Sequence, residues 1–288
     1  MAILVAVKKS LLITSLGLAS FSVNASATVF YQSNGTSADN LQSYLGGGAR
    51  FAGSNGATVQ NTTPFVVNGV SQGSYLSATS YPTANFTTVA NATSQGIWVG
   101  LLLNPASDNF WCGGFALSSK TTDQFPTDNN YSNWIVNVGW NNNPTKITFM
   151  DWNWIKAEGG YTVSVGQQVA IMAHLYDTGN TGTFNTATLF VDSDLSNGIN
   201  FVSAIVTAFN ISTPASTVGA IRLAADPGRQ GETRYYDNVI ASTSEQEAVQ
   251  FLATGQTSAV PEPSTYGLIG VGALGLAFAA RRKKQKSV

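Results

Sequence analysis

The chain reads Val169-Ala170-Ile171-Met172-Ala173-His174-Leu175-Tyr176 and then, after a polar turn, Thr186-Ala187-Thr188-Leu189-Phe190-Val191-Asp192. In the second stretch Ala187, Leu189 and Val191 point to one side, and the residues between them point to the other. A period of two with one polar face predicts a strand of an antiparallel sheet. The first stretch is apolar on both faces, so it is expected to lie centrally between packed layers.

Further apolar runs of similar length lie on both sides of this pair. Clusters of Gly, Asn, Pro and Asp separate them, as is typical of turns. Many short strands at this spacing predict an all-β fold, a sandwich or jelly roll. One short helix is expected at 246–252, because Ser244 and Glu247 form a capping box. The predicted strands are 97–103, 114–118, 134–140, 146–151, 168–176, 186–192, 218–224 and 234–241.

The order of these segments resembles that of concanavalin-like jelly rolls. The resemblance rests on Ile97-Trp98-Val99-Gly100-Leu101-Leu102, on the stretch 165–175, on Thr188-Leu189-Phe190-Val191-Asp192, on Ala220-Ile221-Arg222-Leu223 and on the closing Tyr236-Asp237-Asn238-Val239-Ile240. It implies one concanavalin-like β-sandwich domain, which we assign to residues 28–258. Residues 28–91 match this order poorly and are expected to supply outer strands and loops.

The first 27 residues have the pattern of a secretory signal peptide. Lys8 and Lys9 precede an apolar stretch, and Ala25-Ser26-Ala27 fits the small-x-small cleavage pattern. We therefore expect cleavage after Ala27. An uncleaved anchor helix is the alternative, although the apolar run is short for a membrane span.

The last 30 residues combine a short polar motif, an apolar run and a basic tail. Pro261-Glu262-Pro263 comes first, the uncharged run 266–280 follows, and the tail 281–286 begins with Arg281, Arg282, Lys283 and Lys284. A helix of that length covers about 22 Å, so it spans a bilayer only with flanking residues or local thinning. The basic tail is expected to stay on the cytoplasmic side, which places the rest of the chain outside the inner membrane.

This arrangement resembles the PEP-CTERM sorting signal of exported proteins in Gram-negative bacteria that make exopolysaccharide. The resemblance covers residues 260–286, with Pro261-Glu262-Pro263 as its signature. It implies recognition by an exosortase, a membrane-embedded processing enzyme. The precursor is then anchored in the inner membrane before it reaches the cell surface or the extracellular matrix.

The charge of the predicted domain argues against nucleic acid as a partner. Seven of the 14 basic residues and one of the 15 acidic residues lie in the two ends, which leaves 7 basic and 14 acidic residues and a net charge of −7. Nucleic-acid binding needs a basic surface. The chain has one cysteine, Cys112, and therefore has no internal disulfide.

Four tryptophans give the main indication of a ligand. Trp134, Trp140, Trp152 and Trp154 lie among Asn and Asp residues. Flat aromatic faces beside such groups suit the C–H faces and hydroxyls of sugars. Aromatic side chains also fill sandwich cores, so packing is the alternative interpretation.

A calcium site is a second candidate. Asp192 and Asp194 lie in an oxygen-rich loop of the kind that hard cations prefer. The alternative is a plain Asx-rich turn. No other cofactor is expected.

The sequence shows no set of catalytic residues. Glycoside hydrolysis needs two carboxylic acids, and the Glu-rich strand of hydrolases with this fold is missing. The single histidine, His174, aligns with Met172 and Tyr176 on its strand, which favours packing. Leu175-Tyr176-Asp177-Thr178-Gly179 resembles an aspartic-protease loop, but no second copy exists, so a hairpin turn is expected.

These observations predict an exported, non-catalytic surface or matrix protein that binds carbohydrate. A purely structural or adhesive protein is the alternative, and a glycoside hydrolase is a third.

Overall fold

The computed structural model describes residues 28–34, 51–52, 57–60, 65–78, 83–106, 114–119, 134–139, 146–151, 153, 155–223 and 234–257. These residues lie in one compact unit, residues 27–258. The predicted signal peptide, the predicted sorting signal with its apolar run 266–280, and Cys112 lie outside the described residues.

The described residues form mostly strands. They also include one α-helix, α1 (Glu245–Thr254), and one 3₁₀ turn (Leu195–Asn197). The first nine strands are β1 (Val29–Ser33), β2 (Phe51–Ala52), β3 (Ala57–Gln60), β4 (Val66–Val67), β5 (Val70–Ser71), β6 (Tyr75–Ala78), β7 (Thr83–Asn91), β8 (Ile97–Pro105) and β9 (Phe115–Ser118). The others are β10 (Trp134–Val138), β11 (Lys146–Ile147), β12 (Phe149–Asp151), β13 (Tyr161–Thr162), β14 (Val169–Tyr176), β15 (Phe184–Asp192), β16 (Val206–Ala215), β17 (Thr217–Leu223) and β18 (Arg234–Ser242).

Two antiparallel sheets form the sandwich. The eight-stranded sheet has the order β16-β15-β14-β8-β18-β6-β3, with β1 also paired to β18. The six-stranded sheet has the order β12-β10-β9-β17-β7-β2. The predicted all-β sandwich is confirmed. Strands β2 and β3 end the two sheets, as expected for residues 28–91. Strands β6 and β7, from the same part of the chain, lie one position further in, and β1 pairs with β18.

One hydrophobic core lies between the sheets. Val99, Leu101 and Ile171 enter it from the eight-stranded sheet, and Leu117 and Ile221 enter it from the six-stranded sheet. The alternation predicted for β15 holds here, because Ala187 and Leu189 are fully buried in this core. The side chains that do not enter the core point to the outer faces of the sandwich.

Helix α1 covers part of the outer face of the eight-stranded sheet. Its Phe251 and Leu252 pack on Met172 and Ile240. Gly100 gives the helix room, since a Cβ there would lie 2.9 Å from a Leu252 methyl carbon. Half of the predicted capping box is present at its start: Ser244 Oγ accepts from the Glu247 amide at 3.3 Å, but the Ser244 amide donates to Ser242 Oγ at 3.1 Å and not to Glu247. Strand β14 is therefore covered on both faces, as its sequence predicts.

The β4–β5 hairpin packs beside this helix. Phe65 and Val67 are buried with Leu102 of β8 and with Leu195. Asn68 and Gly69 form its turn at φ values of 50° and 73°, which suits an Asn-Gly pair. Within the described residues, no helix is long and apolar enough to cross a membrane.

Candidate functional site

The outer face of the six-stranded sheet carries a small polar and aromatic group. On β10, Val136 and Val138 enter the core, so Asn137 points outward. A register shift between Trp134 and Val136 puts Trp134 on the same face as Asn137. Arg222 also faces outward, because Ile221 and Leu223 on either side of it enter the core.

These side chains surround a floor of small residues. Ser118 of β9 pairs with Trp134 on one side and with Ala220 of β17 on the other. Ala116 likewise pairs with Asn137 and with Arg222. The face therefore has small side chains in the middle and larger ones beside them, and all of these side chains are buried.

Trp134 and Arg222 contact each other directly. The guanidinium carbon of Arg222 lies 3.8 Å from the centre of the Trp134 ring, a cation–π contact. Trp134 is 5% exposed and Arg222 is 2% exposed. For this tryptophan the structure agrees with the packing alternative.

Asn137 is 3% exposed, and its Oδ1 atom has no hydrogen-bond partner among the described residues. Buried polar atoms are nearly always hydrogen-bonded, so this acceptor is free to take a donor, as are Asn104 Oδ1 and Asn238 Oδ1 elsewhere in the fold. A ligand hydroxyl is one such donor. Asn137 was not singled out from the sequence, since an Asn between two valines carries no distinctive signal.

Trp140, Trp152 and Trp154 lie outside the described residues. The described residues on either side of Trp152 and Trp154 are bonded to each other. The Ile155 amide donates to Asp151 Oδ1 at 3.0 Å, and the Asp151 amide donates to the Ile155 carbonyl at 3.0 Å. This part of the chain follows β12, the last strand of the sheet.

The same part of the chain is tied to the edge of the other sheet. Asp151 Oδ2 accepts from the Ser212 amide at 3.0 Å, and Asn153 Nδ2 donates to Ser212 Oγ at 2.8 Å. Ser212 belongs to β16, the end strand of the eight-stranded sheet. Asp151 and Asn153 thus connect the end of one sheet to the edge of the other.

The two predicted calcium ligands hold their own loop together. Asp192 Oδ1 accepts from the Asp194 amide at 3.0 Å, and Asp192 Oδ2 accepts from the Asn200 amide at 2.7 Å. Asp194 Oδ1 accepts from Ser196 Oγ at 2.6 Å and caps the 3₁₀ turn. These bonds to Ser196 hold the pKa of Asp194 below its ordinary value. The described residues contain no group of three or more acidic, His or Cys side chains with metal-site geometry.

A row of aromatic rings lies on the eight-stranded sheet, and the sequence predicts only part of it. His174 stacks on Trp98 with ring centres 3.9 Å apart and on Tyr176 at 4.7 Å. Its Nε2 lies 2.8 Å from the Gln95 carbonyl oxygen, and burial lowers its pKa. The predicted alignment of His174 with Tyr176 is correct. The cross-strand partner, Trp98, could not be deduced without the register of β8 and β14.

The acidic pair Glu245 and Glu247 lies in the first turn of α1, as the sequence indicates. Burial raises the pKa of Glu247. Both residues belong to the start of a helix that packs on the sheet, and they are not on a strand face.

A protein-family model described as the PEP-CTERM protein-sorting motif matches residues 259–283. The chain carries a PEP-CTERM sorting motif. Pro261, Glu262 and Pro263 lie within the match, as does the basic tail up to Lys283, and Lys284 follows directly. The motif implies an exported protein with a membrane-anchored precursor that an exosortase processes.

No curated protein matches the sequence. Among solved structures, the globular domain of T. cruzi calreticulin aligns at 9% identity and a TM-score of 0.44, covering 78% of this chain and 92% of that one. The PL-14 alginate lyase from Aplysia kurodai aligns at 9% identity and a TM-score of 0.44, covering 74% and 98%. The lumenal domain of VIP36 in its Ca²⁺ and Man₃GlcNAc form aligns at 10% identity and a TM-score of 0.36, covering 65% and 81%. At these values the likeness carries no conclusion about function.

Proposed function

We propose that this protein is exported, held in the inner membrane by residues 266–280, processed by an exosortase and delivered to the cell surface or the exopolysaccharide matrix. The match of residues 259–283 to the sorting motif carries this proposal. The motif begins five residues after the end of α1, so the sorting signal follows a folded domain directly.

The test is expression of the full chain in a Gram-negative host with and without its exosortase. The expected result is a shorter, non-membrane product that appears only with the enzyme. Pro261→Ala and Glu262→Ala together should leave the full-length precursor in the membrane fraction. Thr257→Ala, just before the motif, is the matched control. Equal product in both hosts would overturn the proposal.

We propose further that the domain binds carbohydrate through the outer face of the six-stranded sheet, without catalysis. Three observations support this. Trp134 and Arg222 pair an aromatic ring with a cation beside small residues on this face, and both side chains are buried. Asn137 has an orphaned acceptor. Asp151 and Ile155, which flank Trp152 and Trp154 in the sequence, are bonded to each other at the end of the same sheet.

Binding of residues 28–258 to the host's exopolysaccharide and to a glycan panel tests this second proposal. Asn137→Ala should weaken binding without unfolding the domain, because its orphaned acceptor contributes little to stability. Release of new reducing ends would instead identify a glycoside hydrolase. Absence of binding would favour a purely structural or adhesive role.

Calcium is tested in the same experiment by adding either the ion or a chelator. Asp192 and Asp194 already accept backbone amides, so a bound ion would have to share or displace those bonds. Binding lost in chelator and in Asp194→Asn would establish a calcium-dependent site. Binding that survives both would leave the outer-face residues as the sole determinants.

A further inference from the structure

The end of α1 is held by side chains from distant parts of the chain. Asn34 Nδ2, just after β1, donates to the Gly255 carbonyl at 2.7 Å. Asn238 Nδ2 of β18 donates to the Leu252 carbonyl at 2.9 Å. Gly255 closes the helix at φ 65°, where a Cβ would lie 3.0 Å from Asn238 Oδ1. The point from which the sorting segment leaves the domain is therefore fixed.

The β4–β5 hairpin lies beside this point. Asn238 Nδ2 also donates to Gln72 Oε1 at 2.9 Å, and Gln72 Nε2 donates to the Val70 carbonyl at 3.0 Å. A continuous chain of hydrogen bonds thus links Val70 to the last turn of α1. Ala253 of α1 packs in the same cluster as Phe65 at the base of the hairpin.

The hairpin carries two exposed valines. Val66 is 43% exposed and Val70 is 62% exposed. Residues 65–78 include no charged side chain. Val66 pairs with Ser71 and Val67 pairs with Val70, so each face of the hairpin has one exposed valine beside the Asn-Gly turn. The base of the hairpin, at Gln72, lies next to the end of α1.

The length of the following chain limits how far this hairpin lies from the bilayer. Eight residues separate Thr257 from the apolar run at 266. Fully extended, they span about 30 Å, and the two prolines at 261 and 263 restrict their conformations. A contact made by a tethered domain is intramolecular, so even a weak apolar contact is populated.

We propose that the β4–β5 hairpin, through Val66 and Val70, rests on the lipid surface of the inner membrane while the precursor is anchored. This inference rests on the proposed function, because it needs residues 266–280 to hold the chain in the bilayer. The domain has a net charge of −7. The Asn68 amide donates to the Leu195 carbonyl, so the carboxylate of Asp194 lies close to the hairpin. These negative charges favour a zwitterionic lipid surface over an anionic one.

The test uses the full chain with Cys112→Ser, reconstituted into phosphatidylcholine vesicles that carry a lipid-bound nitroxide quencher. An environment-sensitive dye is placed at Val70→Cys, or at Val66→Cys should the first variant fail to fold. Asn180→Cys is the matched control. It lies in the exposed turn after β14. That turn is at the end of the sheet where Leu175 pairs with Ile97 and where β18 ends before α1.

We expect the dye on the hairpin to be quenched several-fold more strongly than the dye at position 180, and less strongly once anionic lipid is added. Equal quenching at both sites overturns the inference. A dye response that depends on protein concentration and not on the quencher also overturns it, in favour of contact with a second copy. Vesicle flotation tests the proposed anchoring separately. If the protein does not float with the vesicles, residues 266–280 do not anchor it and the proposed function is contradicted.

Discussion

Gly96 is a residue whose identity is required by the packing around it. Its φ is +69°, and a Cβ there would lie 2.1 Å from the Leu175 carbonyl oxygen and 2.7 Å from His174 Nε2. Gly96→Ala should therefore lower the free energy of unfolding by about 3 kcal/mol, from backbone strain together with a clash against a fixed strand. Urea denaturation measures this.

Gly166 is the control for that substitution. Its φ of +75° is similar, but a Cβ would meet no atom within 4 Å. Gly166→Ala should cost only about 1 kcal/mol, the strain of a positive φ alone. Equal losses in the two variants would mean that crowding at Gly96 is unimportant.

The stability of Trp134 variants tests whether this side chain contributes to the packing of the domain. Because it is buried under Arg222, Trp134→Ala should destabilise the domain by about 3–5 kcal/mol. Trp134→Phe keeps an aromatic face for the guanidinium and should cost less. Thermal unfolding of both variants checks this. An alanine variant as stable as the original would contradict the burial.

At the scale of elements, the sequence predicts strands best where apolar residues are continuous. The predicted strand 97–103 is Ile97–Pro105 in the structure, 186–192 is Phe184–Asp192, and 234–241 is Arg234–Ser242. Each of these strands is buried on at least one face, so a clear pattern of apolar residues marks it in the sequence. The helix was also predictable, since its capping residues act locally.

Strands β7 and β16 were not predicted, for a physical reason. Both are rich in Thr, Asn and Ala, and both pair across register shifts. In β16 the shift places Ala208 at φ 49°, which breaks the alternation. The group of side chains on the outer face of the six-stranded sheet could not be predicted from the sequence either. The contact of Arg222 with Trp134 depends on β10, β9 and β17 lying side by side, which no local pattern encodes.

The turn between β14 and β15 gives this hairpin a pH dependence. Burial raises the pKa of Asp177, but hydrogen bonds from Thr181 and from the Gly182 amide outweigh it, so the pKa lies below the ordinary value of 3.8. A depressed carboxyl pKa adds stability above the unfolded-state pKa, and this stability is lost as pH falls through the folded-state value.

Asp177→Asn should therefore lower the urea midpoint at pH 7 and make stability depend less on pH between about 5 and 2. Denaturation series of both proteins at several pH values measure this. Asp192→Asn is a suitable comparison at another loop carboxylate. An unchanged pH dependence in Asp177→Asn would show that this carboxyl titrates alike in the folded and unfolded chains.

At the scale of the molecule, the fold and the sorting signal are joined at α1. Phe251 and Leu252 belong to the packing of the domain, whereas the sorting motif begins at residue 259. A chain ending at Ser258 should thus keep the melting temperature of the full domain while losing membrane association. A chain ending at Gln250 removes the side chains that cover Met172 and Ile240, and it should lose about 4 kcal/mol or more. Calorimetry and membrane fractionation of the two truncations separate these effects. If the longer truncation also melted at a lower temperature, residues beyond Ser258 would be part of the folded domain, and the clear division between domain and sorting signal would be wrong.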